Sequence, residues 1–95
     1  MLYVQAVQPL DGYWLRLTLT DGHVVEREVS GVLSGPVFQP VRHDRAVFEA
    51  VFVDGGTVAW PGGVDIAPET LIWNGPVPAT PDARPELRLW VRQPQ

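Results

Sequence analysis

The sequence predicts a small α+β domain, built from an antiparallel hairpin sheet with one or two short helices and followed by a proline-rich C-terminal extension. Two alternating apolar and polar stretches flank an Asp-Gly turn, and an Asp-Gly-Gly turn marks a second hairpin. One stretch between them has helical spacing. With 95 residues the chain fits one domain, predicted over residues 1–73, and the extension covers residues 74–95.

The register of the first hairpin follows from its two faces. A two-residue loop at Asp21-Gly22 would place Leu17 opposite Glu26 and bring a carboxylate onto the leucine face. A three-residue loop with Gly22 in the left-handed conformation aligns Arg16 with Glu26 on the solvent face instead. We therefore predict the three-residue loop. In this register Arg27 falls on the leucine face, where it must reach water or lie near an edge.

Residues 30–41 contain four Gly or Pro residues and are predicted to form an irregular crossing loop. We expect its apolar side chains to anchor it to the core: Val32, Leu33, Val37 and Phe38. Asp44 is the predicted N-cap of a short helix from residue 45 to about residue 51. The buried stripe of this helix includes Phe48, and we expect one core formed by Phe48, Leu17, Trp60 and Leu71.

The second hairpin is predicted around Asp54-Gly55-Gly56, and the Pro61-Gly62-Gly63 turn ends it. Asp65 is then placed to cap a helical turn that runs through Leu71, because Pro68 lies within the first turn, where no amide donor is missed.

The tail changes composition. Residues 74–85 read as an extended proline-rich linker, and residues 86–92 alternate like a strand, with Trp90 facing away from the apolar stripe of Leu87, Leu89 and Val91. This strand is expected to pair either with an edge of its own domain or with a second copy. We favour the second copy, since small domains often close an edge by two-fold pairing.

Charge and composition limit the partners. The net charge is −4, and an acidic chain lacks the basic surface that a nucleic-acid binder needs to neutralise phosphates, so we expect no nucleic-acid partner. The chain has no cysteine, which excludes disulfides and thiol chemistry. No apolar run is long enough to cross a membrane and no signal peptide is recognised, so a cytoplasmic location is expected.

Candidates for catalysis or metal binding are few. His43-Asp44, His23, and the carboxylates Asp54, Asp65 and Glu69 match no known catalytic or EF-hand spacing, and turns commonly contain such residues. We therefore predict no catalytic, cofactor-binding or metal-binding residue. The alternative interpretation of these residues is a small enzyme that uses Asp65 together with His43 or Glu69.

The candidate interface residues are aromatic and apolar: Trp14, Leu87, Leu89, Trp90 and Val91. Trp14 lies on the polar face of its strand. It is either half-buried beneath the loop or the tail, or an anchor for a partner, and the sequence leaves both interpretations open.

The ordered motifs resemble a known family. The segment from Val37 to Arg42 precedes Phe48, and Trp60-Pro61-Gly62-Gly63 leads to Asp65, Pro68 and Leu71. Over about residues 3–73 this order is similar to the small bacterial proteins grouped as domain-of-unknown-function family 2442. The resemblance implies an α+β fold without an established activity, in which Gly22, Trp60, Pro61, Asp65 and Leu71 have architectural roles.

The same resemblance bears on partners. Members are often encoded beside another small protein, similar to toxin–antitoxin pairs, and some carry a helix-turn-helix extension. The proline-rich extension here has no room for two helices. We therefore predict a bacterial accessory module that acts through a protein partner or as a homodimer. The alternatives are one component of a toxin–antitoxin-like pair, a DNA-linked regulator, and the small enzyme.

Overall fold

The computed structural model describes residues 2–91 and confirms the α+β class, with three α-helices rather than one or two. The strands are β1 (Val4–Pro9), β2 (Trp14–Leu19), β3 (Val24–Glu28), β4 (Phe52–Asp54), β5 (Thr57–Trp60), β6 (Val64–Ile66) and β7 (Arg88–Trp90). The helices are α1 (Gln39–His43), α2 (Arg45–Glu49) and α3 (Pro68–Trp73). Two sheets form, in the orders β1-β2-β3-β7 and β4-β5-β6. In the described part of the chain, no helix has the length and apolarity needed to cross a membrane.

The predicted register of the first hairpin is confirmed. Arg16 pairs with Glu26 and Leu17 with Val25 across β2 and β3. Gly22 has a φ of 93°, in the left-handed region that a residue with a Cβ avoids. Both faces of the hairpin therefore agree, with leucines toward the core and a charge pair toward solvent.

The expectation for Arg27 is wrong. Its side chain is fully buried and does not reach water, although it lies opposite Leu15 as predicted. The guanidinium donates to the main-chain oxygens of Leu71 and Ile72, at the end of α3, and to that of Glu26. Carbonyls in the last turn of a helix have no partner within the helix, so they satisfy this buried cation.

The crossing loop is more regular than predicted. A 3₁₀ turn spans Pro36–Phe38 and α1 follows directly. Prolines lie in the first turn of each, where the missing amide donor breaks no hydrogen bond. The expected anchors Val32, Leu33 and Phe38 do pack on the core, but Val37 is 66% exposed and anchors nothing.

Helix α2 begins as predicted, because the Asp44 side chain accepts a hydrogen bond from the Ala46 amide. Phe48 is fully buried, and its carbonyl oxygen accepts a 2.9 Å hydrogen bond from the indole of Trp60. Leu17 and Leu71 belong to the same core cluster. The predicted meeting of these four residues is confirmed.

The second hairpin is confirmed, and a third strand extends it. Gly55 and Gly56 form the turn between β4 and β5 with φ values of 59° and 86°. After the Pro61 turn, β6 pairs with β5 and places Asp65 opposite Ala59. The predicted cap role of Asp65 is therefore wrong. The residue before α3 is Ala67, and Pro68 does open the helix, as expected.

The tail strand pairs with its own domain. β7 runs parallel to β3 and aligns Leu89 with Arg27. The favoured pairing of this stripe with a second copy in place of its own sheet is therefore wrong, and the purely antiparallel sheet becomes mixed. A parallel connection requires a long crossover, which residues 29–87, with the second sheet and the three α-helices, supply. Arg92, the last residue of the predicted strand, lies outside the described residues.

Candidate interaction surface

The outer face of the four-stranded sheet gathers aromatic and charged side chains. Residues on this face alternate with core residues along each strand. The register brings together Trp14 and Arg16 of β2, Glu26 and Glu28 of β3, and Arg88 and Trp90 of β7. We call these six residues the aromatic face.

Two tryptophans meet across the intervening strand. The ring centroids of Trp14 and Trp90 lie 5.4 Å apart with an interplanar angle of 64°, an edge-on arrangement that aromatic pairs favour. The Arg88 guanidinium lies over the Trp14 ring, 3.9 Å from its centroid. Trp14 is thus half-buried beneath the tail, as one of the two sequence interpretations has it, whereas Trp90 remains 57% exposed.

One carboxylate serves two arginines on this face. Glu26 is 3.1 Å from Arg16 through one oxygen and 3.2 Å from Arg88 through the other. Both arginine side chains are largely exposed, so each pair contributes little to stability by itself. The group of three carries a net charge of +1, and its guanidiniums retain donors for a further acceptor.

Glu28 is buried although it lies on the outer face. In the register it falls between Trp14 and Trp90, and only 8% of its surface is exposed. Its carboxylate accepts hydrogen bonds of 2.7 Å from both the amide and the hydroxyl of Ser30. These local donors satisfy the buried carboxyl oxygens of Glu28.

The predicted interface residues of the tail separate in the structure. Val91 is buried in the core and Leu89 is partly buried, while Leu87 is 73% exposed. The apolar stripe is therefore buried in the core at its C-terminal end, at Val91, and exposed to solvent at its N-terminal end, at Leu87. Leu87 and Trp90 are the exposed apolar side chains of the tail beside this sheet edge.

A groove of about 440 Å³ adjoins the aromatic face, between Trp14 and α2. Arg45 crosses it, because its guanidinium donates to the carbonyl oxygens of Leu10 and Gly12 and to Glu49. These partners lie in the turn after β1 and on the same helix. Sequence reasoning missed Arg45, since nothing local to residue 45 indicates carbonyl partners more than thirty positions earlier.

A larger cavity, of about 620 Å³, lies where the proline-rich segment passes the first hairpin loop. Its charged lining comes from Asp21, Asp82 and Arg84. His23 lies beside it on the loop, with Nδ1 2.6 Å from the Asp21 carboxylate. The His23 main-chain amide also donates to that carboxylate and, as the main cause, lowers the pKa of Asp21.

The enzyme candidates do not gather around one cavity. His43 ends α1 and lines a cavity of about 520 Å³ with Tyr13 and Arg42, whereas Asp65 lies on β6 and Glu69 begins α3. Neither carboxylate lines that cavity. Within residues 2–91, no three His, Asp or Glu side chains are grouped so that they could hold a metal ion.

Comparisons with known proteins agree with this architecture. The crystal structure of the Putative DNA Binding Protein NE0471 from Nitrosomonas europaea ATCC 19718 is similar, with a TM-score of 0.59 and 31% sequence identity. The similarity covers 64% of this chain and 41% of the other, so the chain matches less than half of that protein's length. The search of curated proteins found no significant match.

The family model described as Protein of unknown function (DUF2442) matches residues 4–76. The matched part contains both sheets as far as β6, together with α1, α2 and α3, and it ends before β7. Strands β2 and β3 of the aromatic face therefore lie inside the family match, and β7 lies outside. Because the model matches most of the 95 residues, the chain belongs to the DUF2442 family.

Proposed function

We propose that this protein is a non-enzymatic interaction module that binds a protein partner or a second copy of itself through the aromatic face and the adjoining edge of β7. The observation that carries the proposal is the exposure of Trp90, at 57%, on the edge strand β7, together with that of Leu87, at 73%, immediately before this strand. Tryptophan and arginine are enriched among residues that dominate binding energy, and open strand edges are common docking sites.

The polar part of the surface suits the same role. The two arginines that share Glu26 surround the tryptophans with charged groups, and such a polar rim around an apolar centre is typical of protein interfaces. The proposal includes one component of a toxin–antitoxin-like pair, since such a component also works by binding another protein.

The test is affinity capture from a lysate of the source organism, comparing the wild-type chain with Trp90→Ala. Phe52→Ala is the matched control, because Phe52 is a 45% exposed aromatic residue on the other sheet. We expect the captured proteins, or self-association of the chain, to be lost with Trp90→Ala and retained with Phe52→Ala. Equal behaviour of both variants in every binding assay would contradict the proposal.

A second candidate is a DNA-linked regulator. The observation that favours it is the name of the similar structure, Putative DNA Binding Protein NE0471. The match covers 41% of that chain and leaves 59% of it unmatched. The net charge of −4 on the present protein opposes contact with phosphates. Fluorescence anisotropy with a pool of duplex DNA at two salt concentrations tests it. Binding that weakens with salt would support this candidate, and no binding at low salt would exclude it.

A further inference from the structure

β7 has one edge paired and one edge open. Leu87 accepts a 2.8 Å hydrogen bond from the Glu26 amide, and the Val91 amide donates a 2.8 Å bond to Glu28. Main-chain groups along a strand point alternately to its two sides. The N–H and C=O groups of Arg88 and Trp90 therefore point away from β3, toward the edge of the described sheet.

We propose that a second copy of this chain pairs with that open edge, β7 against β7 in antiparallel orientation, with the two-fold axis passing through Leu89. This inference rests on the proposed function and names the occupant of its binding surface. It differs from a tail that leaves its own sheet, because each β7 keeps its pairing with β3 and the two four-stranded sheets join into one.

The register follows from charge. Within β7 only Arg88 and Trp90 present outward groups, so a two-fold axis that passes through this strand is centred on Arg88, Leu89 or Trp90. Centring on Arg88 sets that arginine against itself, and like charges directly opposite are destabilising. Centring on Trp90 sets that tryptophan against itself and leaves Arg88 without a partner within β7. Centring on Leu89 avoids both conflicts.

The Leu89-centred register is self-complementary on both faces. On the outer face, Arg88 of each copy lies opposite Trp90 of the other, a pairing in which a guanidinium and an indole attract. On the inner face, Leu89 meets Leu89, and the exposed Leu87 meets the Val91 position. The exposed Arg88 and Trp90 thus gain cation–π partners, and the partly buried Leu89 gains an apolar one. A partner with an unrelated strand has no such match built in.

Only a few residues form this contact, so the dimer is expected to be weak and concentration-dependent. Sedimentation equilibrium of the full chain should show a mass that rises toward twice 10.5 kDa as concentration increases. Trp90→Arg places arginine opposite Arg88 and should weaken dimerisation at least about tenfold. Phe52→Arg, on the other sheet, should leave the dissociation constant unchanged.

A cysteine scan tests the register directly, because the chain has no cysteine of its own. Opposed residues that do not exchange hydrogen bonds lie about 4.5 Å apart between Cα atoms, within the range of a disulfide. Leu89→Cys should therefore form a covalent dimer under mild oxidation. Leu87→Cys is the stringent control, since it is more exposed but faces Val91 rather than itself.

The outcomes separate this inference from the proposed function. A concentration-dependent dimer that is weakened by Trp90→Arg, together with selective cross-linking of Leu89→Cys, supports the pairing. If Leu89→Cys does not fold by circular dichroism, the sedimentation comparison decides alone. A monomer at concentrations up to about 1 mM, or a dimer indifferent to Trp90→Arg, overturns the inference. In either case, partner capture that depends on Trp90 leaves the proposed function standing.

Discussion

The guanidinium of Arg27 donates a 3.0 Å hydrogen bond to the main-chain oxygen of Ile72, which lies 45 residues later in the chain. A second bond reaches the oxygen of Leu71. Burial among apolar groups lowers the pKa of Arg27 to about 10, so the side chain is still charged at neutral pH. The bond therefore joins a buried cation of the first hairpin to the negative end of α3, and it positions that helix beneath the sheet.

Replacing Arg27 tests how strongly this link holds the fold. Arg27→Ala removes two charge-assisted hydrogen bonds to α3, and we expect a loss of roughly 3 kcal/mol or more in the free energy of unfolding. Arg27→Lys keeps the charge but not the fork of donors, so it should recover only part of the loss. Urea unfolding measures both. Equal stability of the alanine variant and the wild type would contradict the assigned role.

Phe48 is the centre of the aromatic part of the core. Its ring lies 5.5 Å from that of Tyr13 and 6.1 Å from that of Trp60, and its side chain is fully buried. Phe48→Ala should therefore lower the free energy of unfolding by roughly 3–5 kcal/mol. Val47→Ala, on the same helix but only partly buried, is the control and should cost less. Chemical denaturation monitored by tryptophan fluorescence distinguishes the two.

Gly22 is required for its backbone conformation and not for packing. A Cβ at this position would meet nothing within 4 Å, but the φ of 93° is one that residues with side chains rarely adopt. Gly22→Val should destabilise the protein by roughly 1–2 kcal/mol, whereas Gly22→Asn should cost less because asparagine tolerates left-handed conformations. Thermal unfolding of both variants makes the comparison. A valine variant as stable as the asparagine one would be inconsistent with this account.

Asp21 has a lowered pKa, and its first cause is the amide of His23 rather than the imidazole. A carboxyl whose pKa is lower in the folded state stabilises the fold above its unfolded pKa, near 3.8, and loses that contribution as pH falls through the lower folded value. Because the amide of residue 23 remains in His23→Ala, carboxyl NMR titration of this variant should show that part of the lowering of the Asp21 pKa persists. A return of the Asp21 pKa to 3.8 in that variant would assign the effect to the ring instead.

Trp14 should hold the tail strand on the sheet. It packs edge-on with Trp90 and contacts Arg88 through its ring face, and such contacts contribute about 0.5–1.5 kcal/mol each. In Trp14→Ala, hydrogen exchange at the amides of Glu26 and Val91, which bond across β3 and β7, should accelerate roughly tenfold. Phe52→Ala should leave both amides unchanged. Unaltered exchange in Trp14→Ala would show that the backbone pairing holds the strand unaided.

The features that could be predicted from the sequence are those whose interacting residues lie close together along the chain. The register of β2 against β3 depends on residues that are at most about fifteen positions apart and on one loop, so alternation and the Asp-Gly turn were enough to predict Arg16 opposite Glu26. The Asp44 cap and the buried Phe48 were predictable for the same reason, because a cap and a helical stripe involve neighbours within two turns.

The candidate surface was predictable in its residue types but not in its assembly. Alternation marked Trp14 as outward-facing and residues 86–92 as a strand, yet neither pattern identifies which edge the strand joins. That choice is made by the crossover through α3, which delivers β7 parallel to β3 and sets Trp90 within 5.4 Å of Trp14. Two partners separated by 76 positions, such as Trp14 and Trp90, leave no periodic signal in either segment.

The roles of two polar residues, Arg27 and Asp65, could not be predicted from the sequence either, because they depend on tertiary contacts. A lone arginine on an apolar stripe predicts a side chain that extends to solvent, because the sequence shows no partner for it. Its actual acceptors are main-chain carbonyl oxygens, and since every residue carries one, no residue type marks them. Only the docking of α3 determines that two such oxygens point at it. Asp65 lies shortly before a helix that begins with proline, and an aspartate there is a common N-cap. In the structure, residues 64–66 instead form β6, which hydrogen-bonds with the open edge of β5 in the second sheet. Backbone hydrogen bonding along an existing strand edge outweighs one side-chain cap.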